Sequence, residues 1–119
     1  MIKIDVEEME SKVLAGARRT IKDCQPILYV ENDRPRGSRS LGGLLKELDY
    51  KAYWSIFPYF DPHNFYSNTV NVWADYMPSV NVLCLPAQAS VDVGNLEPFL
   101  GENDEWQAAL QRVRSRPRK

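Results

Sequence analysis

The sequence is short of the residues that usually announce a metal centre or a disulfide scaffold. Its 119 residues contain two cysteines and one histidine. Cys24 and Cys84 are far apart, with no CxxC pair, and His63 stands alone, so a zinc site and a cysteine-stapled fold are both excluded. No metal is expected, and the thiols fit a reducing compartment. No apolar run approaches the ~20 residues that a membrane-spanning helix needs. Nothing in the opening MIKIDVEEME resembles a signal peptide, so the expected location is cytoplasmic with no membrane association. Charge of one sign is also lacking: 15 Lys and Arg face 16 Asp and Glu, a net charge of −1. That balance gives no general attraction to nucleic acid. Internal repeats and low-complexity tracts are absent.

What remains is an ordinary globular composition, 44% hydrophobic and 26% charged. A chain of this length makes one domain and buries roughly 65% of its unfolded surface. Ile2 to Val6 reads as a β-branched strand. Met9, Val13, Ala17 and Ile21, with Leu14 beside them, fall at helical spacing and predict an amphipathic helix ending near Asp23, before Pro26. ILYVE at 27–31 is a second strand, apolar enough to be covered on both faces. NDRPRGSR at 32–39 has loop composition. Leucines at 41, 44, 45 and 48 predict a short helix over 40–48. YKAYWSI at 50–56 is a third strand and VNVLCL at 80–85 a fourth, joined by a long aromatic connection. Residues 87–101 lack periodicity. Asp104 is a candidate cap for a last helix through Trp106, Ala109, Leu110 and Val113, and the tail SRPRK reads as frayed. Strand and helix alternate as in an α/β layer fold, whose ligands bind beyond the C-terminal ends of the strands. Those ends carry Asp5 and Glu7 after the first strand, and Glu31, Asn32 and Asp33 after the second.

Three stretches resemble the FkbM family of S-adenosylmethionine-dependent methyltransferases. IKIDVEEMESKVLAGARRTI at 2–21 is similar to the family segment IKIDVEG-x-E followed by VLxGA. PILYVEND at 26–33 resembles its next strand and acidic turn. DYKAYW at 49–54, FDPHNF at 60–65 and VNVLCLP at 80–86 resemble its closing part. The family usually has glycine where this chain has Glu7, and glycine permits a positive φ there. The resemblance implies half of a Rossmann-like methyltransferase sheet, about four strands in the order first-second-fourth-third, with the fourth antiparallel. It implies an FkbM-like half-domain at 1–86 and an extension with a terminal helix at 87–119. It also implies S-adenosylmethionine as cofactor. The family holds that donor chiefly by strands and a glycine-rich turn that would precede Met1, so the isolated chain is expected neither to bind it nor to be catalytic.

Each candidate residue carries two readings. Asp5 and Glu7 orient an acceptor or take its proton, or are carboxylates favoured near a helix N-terminus. Glu31, Asn32 and Asp33 line the same mouth, or form a polar strand exit. Trp54 belongs to an acceptor pocket wall or to the core, as do the aromatics at 57, 59, 60, 65 and 66. His63 and Asn64, in the turn DPHN, contact substrate or simply shape a loop. Arg34, Arg36 and Arg39 clamp an anion or are solvated. The first strand would lie at a sheet edge, where its unpaired backbone is a template for another strand. The expected partner is a second copy joined through that edge, or a separately encoded N-terminal half. Two functions follow: the acceptor side of a methyltransferase, or a non-catalytic homo-oligomeric module derived from that scaffold.

Overall fold

A computed structural model describes residues 1–74 and 78–115; the final Arg116–Lys119 of the expected frayed tail lies outside them. The elements run β1 (Ile2–Ile4), α1 (Glu10–Gly16), α2 (Arg18–Cys24), β2 (Leu28–Glu31), α3 (Pro35–Glu47), β3 (Tyr50–Phe57), β4 (Ser79–Pro86), β5 (Glu97–Pro98) and α4 (Trp106–Arg114). The strands form one open mixed sheet in the order β1-β2-β4-β3-β5. β1 and β2 are parallel, while β4 is antiparallel to both β2 and β3. The expected α/β order of four strands is present, and the two-residue β5 extends it on the outer edge of β3.

Side-chain alternation decides how the layers stack. Register places Ile4, Val30, Val82 and Trp54 on one face, with Leu28, Cys84 and Ala52 beside them. These residues share a single buried cluster with Leu14, Ile21, Leu41, Leu44, Leu45 and Ala109, so α1 to α4 all pack on that face. The opposite face carries Lys3, Tyr29, Glu31, Tyr53 and Leu83, which are half-buried or exposed. β2 is therefore covered by helices on one face and not on both, as its run of apolar residues had suggested. On the helix-free face the Tyr29 hydroxyl and Ser55 Oγ share a hydrogen bond of 2.8 Å across β4.

Three further expectations change. The first helix is broken at Ala17 into α1 and α2, and its buried stripe is Leu14 and Ile21; Met9 and Val13 are exposed. Helix α2 stops at Gln25, whose φ of 44° is left-handed, in keeping with the restriction that Pro26 imposes. The expected loop at 32–39 is instead the start of α3, with Pro35 in its first turn, where a fixed φ and a missing N–H cost nothing. Asp104 does not cap α4. It accepts hydrogen bonds from Trp54 Nε1 (2.8 Å), Leu100 N–H (2.9 Å) and the Arg112 guanidinium (2.8 and 2.9 Å). Arg112 also donates to Glu97 at 2.6 Å. This buried cluster fastens β5 and α4 to the sheet.

Two glycines in one helix pair serve opposite purposes, which yields a direct check. A Cβ at Gly42 would stand 2.6 Å from Glu102 N and 2.9 Å from Gly101 C, both backbone, whereas at Gly16 nothing lies within 4 Å. Gly42→Ala is expected to lower unfolding free energy by about 2 kcal/mol through overpacking. Gly16→Ala should raise it by about 0.5 kcal/mol. Urea unfolding of the two variants measures both.

Candidate functional site

Because β3 and β2 both run antiparallel to β4, the three strands β1, β2 and β3 point the same way. Their C-terminal ends share one rim of the sheet. From that rim the chain leaves through Asp5–Met9, through Asn32–Arg34 and through the connection after Phe57. The first turn is held by Val6 N–H donating to Glu10 Oε1 at 2.9 Å. Within it Glu7 and Glu8 take left-handed φ angles of 50° and 72°. The turn thus keeps the positive φ that glycine would supply, with glutamate in its place.

A cleft of about 620 Å³ lies between this turn, the start of α1 and the start of α3. Glu8, Ser11, Glu31, Asn32, Asp33 and Arg36 contribute to its wall, together with Gly37. Arg34 bridges two sides of it, 2.5 Å from Glu8 and 3.6 Å from Asp33. Beside it, on the face of the sheet that no helix covers, the carboxyls of Glu31 and Asp5 come within interaction range of each other. Burial, followed by the negative charges of Asp5 and Asp33, pushes Glu31 up to about 7. Asp5 moves the other way, held below its ordinary value chiefly by the Lys3 ammonium at 2.5 Å. Two neighbouring carboxyls driven apart in this way make one proton holder and one fixed anion.

Asn32 completes the wall. It is 3% exposed. Its N–H donates to Val80 O at 3.0 Å and its Nδ2 to Ser38 Oγ at 2.9 Å. Its Oδ1 is buried and has no hydrogen-bond partner among the described residues. That oxygen lies directly over Gly37, where an added Cβ would overlap it.

Of the residues singled out by sequence, Asp5, Glu7, Glu31, Asn32 and Asp33 gather at this rim. Trp54, His63 and Asn64 do not line the cleft. Trp54 is 2% exposed in the helix-covered core, its indole N–H bound to Asp104. His63 is exposed, with its backbone N–H donating to Asp61 Oδ1 at 2.8 Å. Asn64 staples its own loop, through Asp61 O at 2.9 Å and Asn68 O at 2.8 Å. The aromatics Phe57, Tyr59, Phe65 and Tyr66 are exposed, so neither a pocket wall nor the core absorbs them. Ser11 and Gly37 were not singled out by sequence. The signal for Gly37 was Pro35, which starts a helix and puts Gly37 within its first turn.

The fold and the cleft define an α/β layer whose candidate ligand site is the rim of a parallel strand pair. Residues 1–55 match the family model described as the methyltransferase FkbM domain. The match runs from β1 into β3, just under half of the chain; the stretches at 60–65 and 80–86 lie beyond it. No curated protein and no solved structure matches the chain. Among the described residues no helix is long and apolar enough to cross a membrane, and no cluster of His, Cys, Asp or Glu has metal-ligand geometry.

The likeness points to S-adenosylmethionine as the donor used by methyltransferases of this type. A nucleoside of that kind is usually cradled by glycine-freed backbone after a strand. Here Gly37, the first glycine after β2, has its open side taken by Asn32 Oδ1, and Gly42, further along α3, abuts the backbone of Gly101 and Glu102. The described residues do not fit the donor, and no chemical step is derived through it.

Two outcomes are expected from this geometry. A left-handed glutamate costs roughly 1–2 kcal/mol, of which glycine's extra freedom in the unfolded chain returns about 0.5–1 kcal/mol. Glu7→Gly should therefore raise stability by about 0.5–1 kcal/mol in urea unfolding. The second concerns pH. A carboxyl whose folded pKa is raised lends stability below its unfolded pKa and loses it as pH rises through the folded value. For Glu31 that window runs from about 4.5 to about 7. Wild-type thermal stability should fall across it, and Glu31→Gln should flatten the fall. A carboxyl NMR titration with a Glu31 midpoint below 5 would contradict this.

Proposed function

We propose that this chain supplies the acceptor side of an FkbM-type, S-adenosylmethionine-dependent methyltransferase and is not catalytic as an isolated chain. The observation that carries the reading is the Glu31–Asp5 carboxyl pair at the rim of the parallel strands, inside the stretch that matches the family. A carboxyl that titrates near neutrality is suited to take a proton from a hydroxyl or amine as that group becomes a nucleophile. Glu31 fills this role. Asp5, kept ionised by Lys3, raises the basicity of Glu31 without itself exchanging a proton. The Arg34 bridge and α3 hold the acceptor in line by fixing the opposite wall. Residues 1–86 carry this half-domain, and residues 87–119 brace it through Asp104 and Arg112. A cytoplasmic location fits the free thiols of Cys24 and Cys84.

The second reading is a non-catalytic homodimer, favoured by the position of β1. It stands at the sheet edge, with β2 as its one neighbour among the described residues. An isologous pairing of two such edges would run antiparallel about a two-fold axis. A separately encoded half with a free strand edge competes for the same place.

One set of measurements separates these readings. The chain is joined to a donor-binding half from an FkbM methyltransferase, and methyl transfer is followed with labelled donor. Activity should appear and fall at least tenfold in Glu31→Gln and Asp5→Asn. Unchanged turnover in both variants would remove the acceptor-side reading. Micromolar donor binding by the chain alone, in calorimetry, would remove the claim that it lacks catalysis by itself. A stable monomer in light scattering at micromolar concentration would remove the dimer.

A further inference from the structure

We infer that β1 pairs with β1 of a second copy in one register, the two-fold axis at Ile4 and Lys3 of each copy opposite Asp5 of the other. This rests on the homodimer reading of the β1 edge and goes further by naming the register, its charge pairs and the apolar stripe that closes beside them.

The backbone sets what the edge offers. Ile2 N–H donates to Ile27 O at 2.8 Å, and Ile2 and Ile4 stand opposite Leu28 and Val30 of β2. Backbone groups turn to alternate sides along a strand, so those of Lys3 and Asp5 point away from β2. Pairing extends β1 through Asp5, ahead of the left-handed backbone that begins at Glu7. A row of outward N–H and C=O groups is a template for another strand.

The side chains choose the occupant. IKIDV at 2–6 is symmetric in polarity about Ile4 and inverted in charge, with Lys3 before the centre and Asp5 after it. A two-fold axis requires a patch that complements itself, and antiparallel pairing about Ile4 supplies one. Each Lys3 meets the other copy's Asp5, Ile4 meets Ile4, and Ile2 meets Val6. The residues whose backbone groups face outward thereby become the hydrogen-bonded pairs. An axis at Lys3 would set lysine against lysine, and one at Asp5 carboxylate against carboxylate, both repulsive. A slip by one residue would turn the apolar side chains to the wrong face. Both charged side chains are half-exposed on the helix-free face, within reach of a second copy.

The helix-covered face points the same way. Ser11 turns toward α3, lining the cleft with Pro35 and Ser40. Met9 and Val13, two positions to either side of Ser11, fall on the opposite side of the helix. Since α1 packs on α3, and α3 leads inward from β2 to β3, that side overlooks the β1 edge. Val6, Met9 and Val13 are all exposed there. An axis perpendicular to the sheet keeps the helices of both copies on one face, so the two stripes cover each other beside the paired strands.

Sedimentation equilibrium of the full chain and its variants, each checked for folding by circular dichroism, tests the register. The wild type is expected to be a dimer at micromolar concentration, with the Lys3 and Asp5 amides protected from hydrogen exchange until dilution. Lys3→Glu or Asp5→Lys alone should weaken self-association about tenfold by setting like charges opposite each other. An equimolar mixture of these two variants should form a heterodimer, and the double swap should restore self-association. Met9→Lys should weaken the dimer by placing a charge in the apolar stripe. A dimer indifferent to any of these substitutions would overturn the inference and leave the homodimer reading in place. A stable monomer would remove both. Loss of the dimer to a complex with the donor-binding half of an FkbM methyltransferase, mixed in equimolar amount, would assign the edge to that half and overturn the choice of a second copy.

Discussion

Everything in this fold hangs from one apolar interface, because all four helices press on the same face of the sheet. That arrangement puts Trp54 at the centre of the core, and an indole N–H in such a place must find an acceptor. Asp104 provides it, and burial would raise that carboxyl were it not outweighed by hydrogen bonds from Arg112, Leu100 and Trp54 that hold it below the ordinary range. Arg112 then needs its own surroundings matched, which Glu97 does from β5. One buried aromatic thus fixes where the last helix and last strand must lie. Removing Arg112 would strand the buried carboxylates of Asp104 and Glu97, far costlier than losing a surface ion pair. Residues beyond the family match are tied to the core by this chain of requirements.

The same single-sided packing shapes the rim. β1 and β2 run parallel and adjacent, so their exits bring Asp5 beside Glu31, and both side chains fall on the face that no helix covers. Two carboxyls on neighbouring strands cannot both ionise freely at short range. Lys3, two residues before Asp5 and on the same face, decides which of them does. It stabilises the Asp5 anion, and the burden of protonation passes to Glu31, the more buried of the two. The difference between the groups comes from a lysine on the strand, not from any distinct chemistry of the acids.

Much of this was legible in the sequence, for reasons that differ by element. The strands and their order could be read because short β-branched runs and the resemblance pointed to the same topology. The gathering of Asp5, Glu31, Asn32 and Asp33 followed from strand direction alone. What failed were readings in which local composition outvoted tertiary context. Arginine, glycine and serine at 34–39 read as a loop, yet Pro35 suits a first helical turn and Gly37 is demanded by contact with Asn32. Trp54 was open to a pocket reading beside the favoured core one, because periodicity says which residues share a face but not which face is covered. His63 and Asn64 sit in a turn whose hydrogen bonds are all internal, and no sequence spacing connects that turn to the acidic rim. Trp54, the indole that donates to Asp104, is 50 residues away, beyond the reach of any local pattern.

The turn after β1 invites an energetic question: what holds two consecutive glutamates in a left-handed conformation? The ion pair of Glu8 with Arg34 is an inadequate answer. Both side chains are more than half exposed, and such pairs contribute about 0–1 kcal/mol, less than the roughly 2–4 kcal/mol that two left-handed residues cost. The hydrogen bond from Val6 N–H to the Glu10 carboxylate adds about 1 kcal/mol, still short. The remainder must come from tertiary packing at either end of the turn, where Ile4 and Leu14 are buried in the common core and fix the span that the turn has to bridge. The conformation is therefore imposed by the sheet and helix on either side, and the glutamates are carried into it. The Glu8 carboxylate is held at the cleft mouth at a cost in stability, as is common where backbone strain lies beside a binding surface.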